Sequence, residues 1–255
     1  MQAESGRGGG RRRAGRQPAA AAVDACILEG AAAILFRSRI VPKHPRDIPL
    51  NPLNQQASRE VDHAGAPFKA VGRDVTIWPY ARIVNRARIS IGDRVMIDDF
   101  ALIIGGSETS IGSFVHIAAF ACITGGGRFL MEDFAGLSGG VKVYTGNEQY
   151  GGECLTNPTV PSPFRTPIRG MVSIGRHAIV GANSVILPDV TIGEGAVVGA
   201  CSLVTRNCEP WTVYSGVPAR KIALRPNAEI YRLERELRAK YYTESGCYRS
   251  ESDGT

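Results

Sequence analysis

The 255-residue chain is short of the features that would place it in a membrane, on a nucleic acid or around a metal. Its most apolar N-terminal stretch, Ala19 to Phe36, carries Asp24 and Glu29. Two carboxylates in that stretch exclude a membrane span and the h-region of a signal peptide. Charge is scarce outside one end. The net charge is +6, but Arg7, Arg11, Arg12, Arg13 and Arg16 all precede residue 19, against the single acid Glu4. The remainder is nearly neutral, so the basic balance gives no ground for nucleic-acid binding. Residues 1–18, rich in Gly and Arg, read as a disordered basic tail. The six cysteines (Cys26, Cys122, Cys154, Cys201, Cys208, Cys247) show neither CxxC nor metal spacing, and there are only four histidines. No metal site is expected, and the thiols are expected to be reduced, in a cytoplasmic protein.

What the chain does have is a period. Between Ile174 and Val204 an aliphatic residue returns every sixth position: Ile174, Val180, Ile186, Ile192, Val198, Val204. Glycine follows four of them, at 175, 181, 193 and 199. Neither an α-helix nor an amphipathic strand has period six. A coil with three flat faces of six residues does, with one aliphatic side chain per face pointing inward. Short repeats of this kind mean a solenoid whose core is built by stacking. The thirty glycines serve its tight turns. An earlier block runs Val71, Ile77, Ile83, Ile89 and, after a two-residue shift, Ile91, Ile97, Ile103. A second slip crosses Gly105-Gly106-Ser107, and the count resumes at Ile111, Ile117, Ile123, Phe129.

Around these blocks lie less regular segments. Residues 19–70 read as a short helix followed by an extended, proline-rich stretch. Residues 146–170 lose the period and hold Pro158, Pro161, Pro163 and Pro167, which marks an excursion from one corner of the solenoid. Asn227 opens a helix through about Tyr242, with the apolar stripe Ile230, Leu233, Leu237, suited to capping the open end of the solenoid. Residues 243–255 read as a polar tail.

The segments Ile-Gly-Asp-Arg-Val-Met-Ile (91–97), Ile-Gly-Ser-Phe-Val-His-Ile (111–117) and 174–200, followed by Val-Thr-Arg (204–206) and Gly-Val-Pro-Ala-Arg (216–220), carry a resemblance. They resemble the hexapeptide-repeat acyltransferases over roughly 71–225, in particular the galactoside, maltose and xenobiotic acetyltransferase branch. That branch includes enzymes of surface-polysaccharide and nucleotide-sugar modification. The resemblance implies an all-β solenoid, a left-handed parallel β-helix with an extruded loop and a C-terminal helix. It implies a homotrimer with acetyl-CoA lying in the groove between neighbouring prisms, acylating a sugar or nucleotide-sugar acceptor. Carried onto this chain, it implies that the backbone of Ala182 and Ala200 meets the pantetheine arm. Thr205 and Arg206 would hold the nucleotide end, and Arg220 the phosphates, for which a planar guanidinium is suited.

The catalytic base is read from the residues themselves. His116 directly precedes the inward Ile117, and side chains alternate along a strand, so His116 faces outward. A histidine works as a base near neutral pH. The branch's usual histidine, in or just before the extruded loop, is missing: residues 144–152 read Tyr-Thr-Gly-Asn-Glu-Gln-Tyr-Gly-Gly. Either His116 takes the role, with Asn147 or Glu148 orienting the acceptor, or the acceptor is an amine that needs little help. Asp98 and Asp99 are outward candidates for sugar hydroxyls, against the plainer reading of a solvated corner. Backbone N–H groups at Gly125-Gly126-Gly127 or Gly139-Gly140 are candidates for an oxyanion hole, although tight turning explains those glycines equally well. O-acetylation of a sugar is the leading expectation. The alternatives are N-acetylation of a nucleotide-linked amino sugar and a catalytically silent assembly module.

Overall fold

The computed structural model describes residues 66–162 and 164–251. The tail expected at 1–18 and the helix expected within 19–40 lie outside them. Three sheets of six, eight and six strands wrap one core, here called faces one, two and three, parallel throughout except for an antiparallel last strand on face two. The chain visits them in turn, and successive coils pair in register: Val71 with Ile91, Ile91 with Ile111, Ile111 with Met131. The coil is therefore twenty residues long in this half. After the excursion Met131 pairs with Ile174, and Ile174 with Ile192, an eighteen-residue coil.

The two slips in the hexad count have one cause. In the twenty-residue coils face one adds two residues to the count, from Ile83 to Ile91 and from Ile103 to Ile111, and like the other faces it turns a pair of side chains inward. Ile89 and Ile91 are both buried, as are Thr109 with Ile111, Phe129 with Met131, and Val172 with Ile174. On the other faces the inward pair is a small or aliphatic residue and a larger one, such as Val95 with Ile97 or Ala101 with Ile103. In the last coils the small member is serine. Ser184 and Ser202 are buried, and both hydroxyls donate to the Gly199 carbonyl. Each fully buried isoleucine is worth about 2 kcal/mol in transfer terms.

Most corners on either side of face two hold a residue in the left-handed region, a conformation that bulky residues enter at a cost of about 1 kcal/mol or more. Between faces one and two this residue is Phe114, Phe134, His177, Gly195 and Trp211 in successive coils. Between faces two and three it is Phe100, Phe120, Gly140, Asn183 and Cys201. Aromatics are tolerated because register stacks them. Phe114 lies over Phe134 with ring centroids 5.1 Å apart, and Phe134 over His177 at 5.0 Å. Such pairs return about 0.5–1.5 kcal/mol each. At Gly195 the column needs a glycine, since an added Cβ would come within 2.3 Å of the Trp211 ring.

The C-terminal helix forms over Ala228–Tyr241. It lies along the edge between faces one and two and covers the aromatic column there, not the open end of the solenoid that the sequence suggested. Tyr231 meets Trp211 edge-on, and its hydroxyl accepts a hydrogen bond from the indole N–H at 3.1 Å. Glu234 is the clasp. Its side chain is 6% exposed and receives His177 Nε2 at 2.7 Å, Arg238 Nε at 2.7 Å and Arg176 Nη1 at 3.1 Å. Arg238 also reaches Asp133 at 2.8 Å. The following residues are no free tail. Tyr248 and Ser250 are buried and donate to the two oxygens of Asp74, in the first coil. The charges at coil corners therefore decide where the helix lies.

Burial alone would raise the Glu234 carboxyl. Hydrogen bonds from Arg238 and His177 and the charge of Arg176 outweigh it and hold the group below the usual carboxylate range. A lowered carboxylate contributes stability above its unfolded pKa of about 4.3, lost as pH falls through the folded value. Hydrogen-exchange protection of residues 228–241, taken relative to the intrinsic rate at each pH, should thus be high at neutral pH and fall below about pH 4. Glu234→Ala should cost about 3 kcal/mol in urea denaturation, at the lower end for a broken buried pair because its arginine partners are partly exposed. Unchanged exchange and stability would show that the helix docks by its apolar residues alone.

Candidate active site

His116 opens the two-residue strand His116–Ile117 on face two. Ile117 is fully buried, which turns the imidazole outward, where its side chain is 53% exposed. Its neighbours in the column are Met96 above and Gly136 below, followed by Ile179. Gly136 supplies no side chain, so a shallow groove of about 410 Å³ opens beneath the imidazole. Phe114, Ala118, Ser138 and Ile179 line it together with His116 and Gly136. A Cβ at Gly136 would come within 3.2 Å of the Ile179 side chain, so larger residues there would fill the groove.

His116 Nε2 lies 3.0 Å from Asp98 Oδ2. An ionised carboxylate only accepts, so Nε2 carries the proton and Nδ1 is the basic nitrogen of the neutral ring. Asp98 thus orients His116, a different task from the sugar contact anticipated for it. Asp99 has a corner role: Oδ1 accepts the Tyr80 N–H at 2.8 Å. Asp93, Asp133, Asp189 and Asn207 each accept a backbone N–H of a neighbouring coil in the same way.

The remaining candidates fall into separate places. Ala182 and Ala200 stack in the column between faces two and three, where the Ala182 carbonyl already accepts the Cys201 N–H at 2.8 Å. Gly139 and Gly140 belong to that column one coil earlier. Gly140 N–H is donated to the Ala119 carbonyl at 2.9 Å, which removes it as an oxyanion donor. The Gly125–Gly127 turn is explained by packing: a Cβ at Gly127 would lie 2.1 Å from the carbonyls of Thr145 and Gly170. Arg220 is exposed on the strand Ala219–Leu224, paired opposite Ser215 in a hairpin that extends face two. Thr205 and Arg206 are exposed just after Val204, at the far end of face three.

The excursion leaves from the corner between faces three and one. Its base is stapled by antiparallel pairing of Gly146–Asn147 with Ile168–Arg169. Glu148 makes a bidentate pair with Arg165 at 2.6 and 2.8 Å. Hydrogen bonding from Arg165 holds that carboxyl below its ordinary value despite some desolvation. Glu148 therefore ties the loop to itself, and Asn147 sits in its staple. Neither is brought to His116 within one chain. Among the described residues no group of three metal-ligating side chains occurs, and no helix is long and apolar enough to cross a membrane.

The bacterial transferase hexapeptide (six repeats) family matches residues 171–206. A dTDP-4-amino-4,6-dideoxy-D-glucose acyltransferase of Escherichia coli is 42% identical over 159 residues, covering 62% of this chain and 83% of that one. The protein is a hexapeptide-repeat acyltransferase. The crystal structure of AntD, an N-acyltransferase from Bacillus cereus in complex with dTDP and 3-hydroxybutyryl-CoA, is 40% identical. It aligns with a TM-score of 0.63 over 68% of this chain and 91% of that chain. A galactoside O-acetyltransferase of Escherichia coli (strain K12) is 45% identical over a shorter match, 20% of this chain and 25% of that one.

For an acyltransferase of this family the arrangement offers one oriented imidazole over a groove floored by glycine. Sequence reasoning found His116 from strand alternation but missed its surroundings. Gly136 stands twenty residues after it, one coil on, and this spacing was the available signal for the groove. His116→Ala should lower turnover about 100-fold or more, the scale of losing a general base, and leave donor affinity near wild type. Asp98→Asn should lower turnover by about tenfold or more, since the amide can hold Nε2 in the wrong tautomer. Steady-state kinetics checks both; equal turnover in His116→Ala moves the proton to another acceptor.

Proposed function

We propose that the protein transfers an acetyl group from acetyl-CoA to the amine of a nucleotide-linked amino sugar, with His116 as general base oriented by Asp98. The acyl donor is a CoA thioester, as in the AntD complex. The sequence alone favoured a hydroxyl acceptor. The reading moves to an amine because the long match is to an acyltransferase of a dTDP-amino sugar, whereas the O-acetyltransferase match is short. The observation that carries the mechanism is the His116–Asp98 pair above the Gly136 gap.

In the proposed reaction the neutral amine attacks the thioester carbonyl. The C–N bond forms, the tetrahedral oxyanion collapses and the C–S bond breaks. His116 Nδ1 takes the proton the nitrogen loses, and the proton passes to the CoA thiolate as it leaves. An imidazolium formed in this way is stabilised by the Asp98 carboxylate 3.0 Å from Nε2. The donor is assigned to the column of Ala182 and Ala200, whose short side chains leave space along the edge. Thr205, Arg206 and Arg220 are assigned to the nucleotide and phosphates of CoA.

A single prism leaves His116 half exposed, with Met96 and Ile179 at 42% and 37% exposure in the same column. Three copies packed side by side would cover this column, exclude water and bring a neighbour's 146–170 loop to the groove. We therefore assign a homotrimer, which light scattering should report as three times the 27.3 kDa chain mass. A monomer would remove the intersubunit groove. Thiol release from acetyl-CoA should be rapid with dTDP-4-amino-4,6-dideoxyglucose and slow with galactosides. Faster reaction with the hydroxyl acceptor would return the reading to O-acetylation, and absence of CoA binding would sink both.

A further inference from the structure

A second aromatic column runs along the edge between faces two and three, and no other described residue covers it. Tyr80 stacks on Phe100 with centroids 5.6 Å apart and 8° between planes, and Phe100 on Phe120 at 5.2 Å and 10°. The three are 68%, 55% and 59% exposed. Stacking along the solenoid axis means that ring faces point up and down the column. Phe120 spends one face on Phe100. On its other side the next corner residue is Gly140, in the same left-handed conformation and without a side chain. No ring follows Phe120 in the column, and the side chain nearest the place beneath it is the Asn183 carboxamide, rising from the next coil.

The place is furnished with polar groups. Asn183, one coil further, sends its carboxamide up toward Gly140, so that a Cβ on Gly140 would lie 2.2 Å from Asn183 Oδ1. Lys142 Nζ donates to the Phe120 carbonyl at 2.8 Å, which holds an ammonium at the rim. Ser138 and Gly139, immediately before Gly140, line the groove below His116. Continuing past Gly140, the column becomes Asn183 and Cys201, each directly preceded by a residue of the assigned donor path, Ala182 and Ala200. The place beneath Phe120 thus lies where the donor path ends and the His116 groove begins. An apolar ring face with an amide and an ammonium at its border suits a pyranose. The sugar's C–H face lies on the aromatic ring and its hydroxyls or diphosphate meet the polar groups.

We propose that the free face of Phe120, above Gly140, seats the sugar ring of the acceptor and sets acceptor specificity. This rests on the amino-sugar reading above and adds to it the residue that holds the ring. Phe120 is exposed and already left-handed, so Phe120→Ala introduces neither a core cavity nor a new backbone demand.

The test is calorimetric binding in the presence of CoA, with dTDP-4-amino-4,6-dideoxyglucose and dTDP as separate probes, to wild type, Phe120→Ala and Phe120→Trp. Phe120→Ala should weaken the sugar nucleotide about tenfold, the scale of one lost stacking contact, and leave dTDP and the light-scattering mass unchanged. Phe120→Trp should restore binding. Equal weakening of dTDP would mean that the base lies on the ring and overturn the sugar assignment. A fall in oligomeric mass would make the column a subunit contact and overturn it as well. Wild-type binding of both probes by Phe120→Ala, in a protein whose wild type turns the substrate over, overturns this assignment alone. A wild type that binds neither probe overturns the assignment along with the amino-sugar reading.

Discussion

The structure depends on one constraint: each coil must return to the register of the one before it. Parallel pairing fixes successive coils about 4.8 Å apart, so residues at equivalent positions stack into columns. The inward columns are Ile97, Ile117, Leu137, Val180 and Val198 on face two, and similar rows on the other faces, all buried. This core has no long-range fold to find, because each coil buries its aliphatics against the next. The same rule governs the outside. Whatever stands at a corner in one coil meets its counterpart in the next, so aromatics form ladders and glycines form gaps.

The two aromatic edges show how differently such columns are used. Between faces one and two, Phe114, Phe134, His177 and Trp211 are closed over by the C-terminal helix. The closure is electrostatic as well as apolar: Glu234 takes hydrogen bonds from His177, Arg176 and Arg238. Between faces two and three, Tyr80, Phe100 and Phe120 stay uncovered by the other described residues, and the column then continues as Gly140, Asn183 and Cys201. Covering one edge and leaving the other open gives the prism a structural side and a working side. His116 sits on face two, between these edges.

Much of the scaffold was legible in the sequence because a repeat states its own period. The hexads from Ile174 to Val204 are the inward positions observed. The two-residue slips near Ile89 and Gly105 were legible as positions but not as a cause: a face two residues longer looks, in one dimension, like a lost count. Helix 228–241 was legible from its helical spacing, although Asn227 makes no side-chain cap bond, Leu233 of the apolar stripe is exposed and the buried residue is Glu234. Its place was not, since that depends on Asp133, Arg176 and His177 meeting Glu234 and Arg238 across separations of 57 and 105 residues for the His177 and Asp133 pairs. His116 was found by alternation, whereas its bond to Asp98 requires knowing that the coil there is close to twenty residues long.

The sequence by itself determined the solenoid, the inward rows and the outward histidine, because each follows from local alternation and a short period. Tertiary structure alone decided which outward residues become neighbours. It joined His116 to Asp98, gave Asp99 to a corner and Glu148 to Arg165, and left Phe120 as the last ring of its column, above Gly140. The physical reason is coil length: a difference of two residues per turn shows in the sequence only as a slipped count, yet it chooses which outward residues meet between coils.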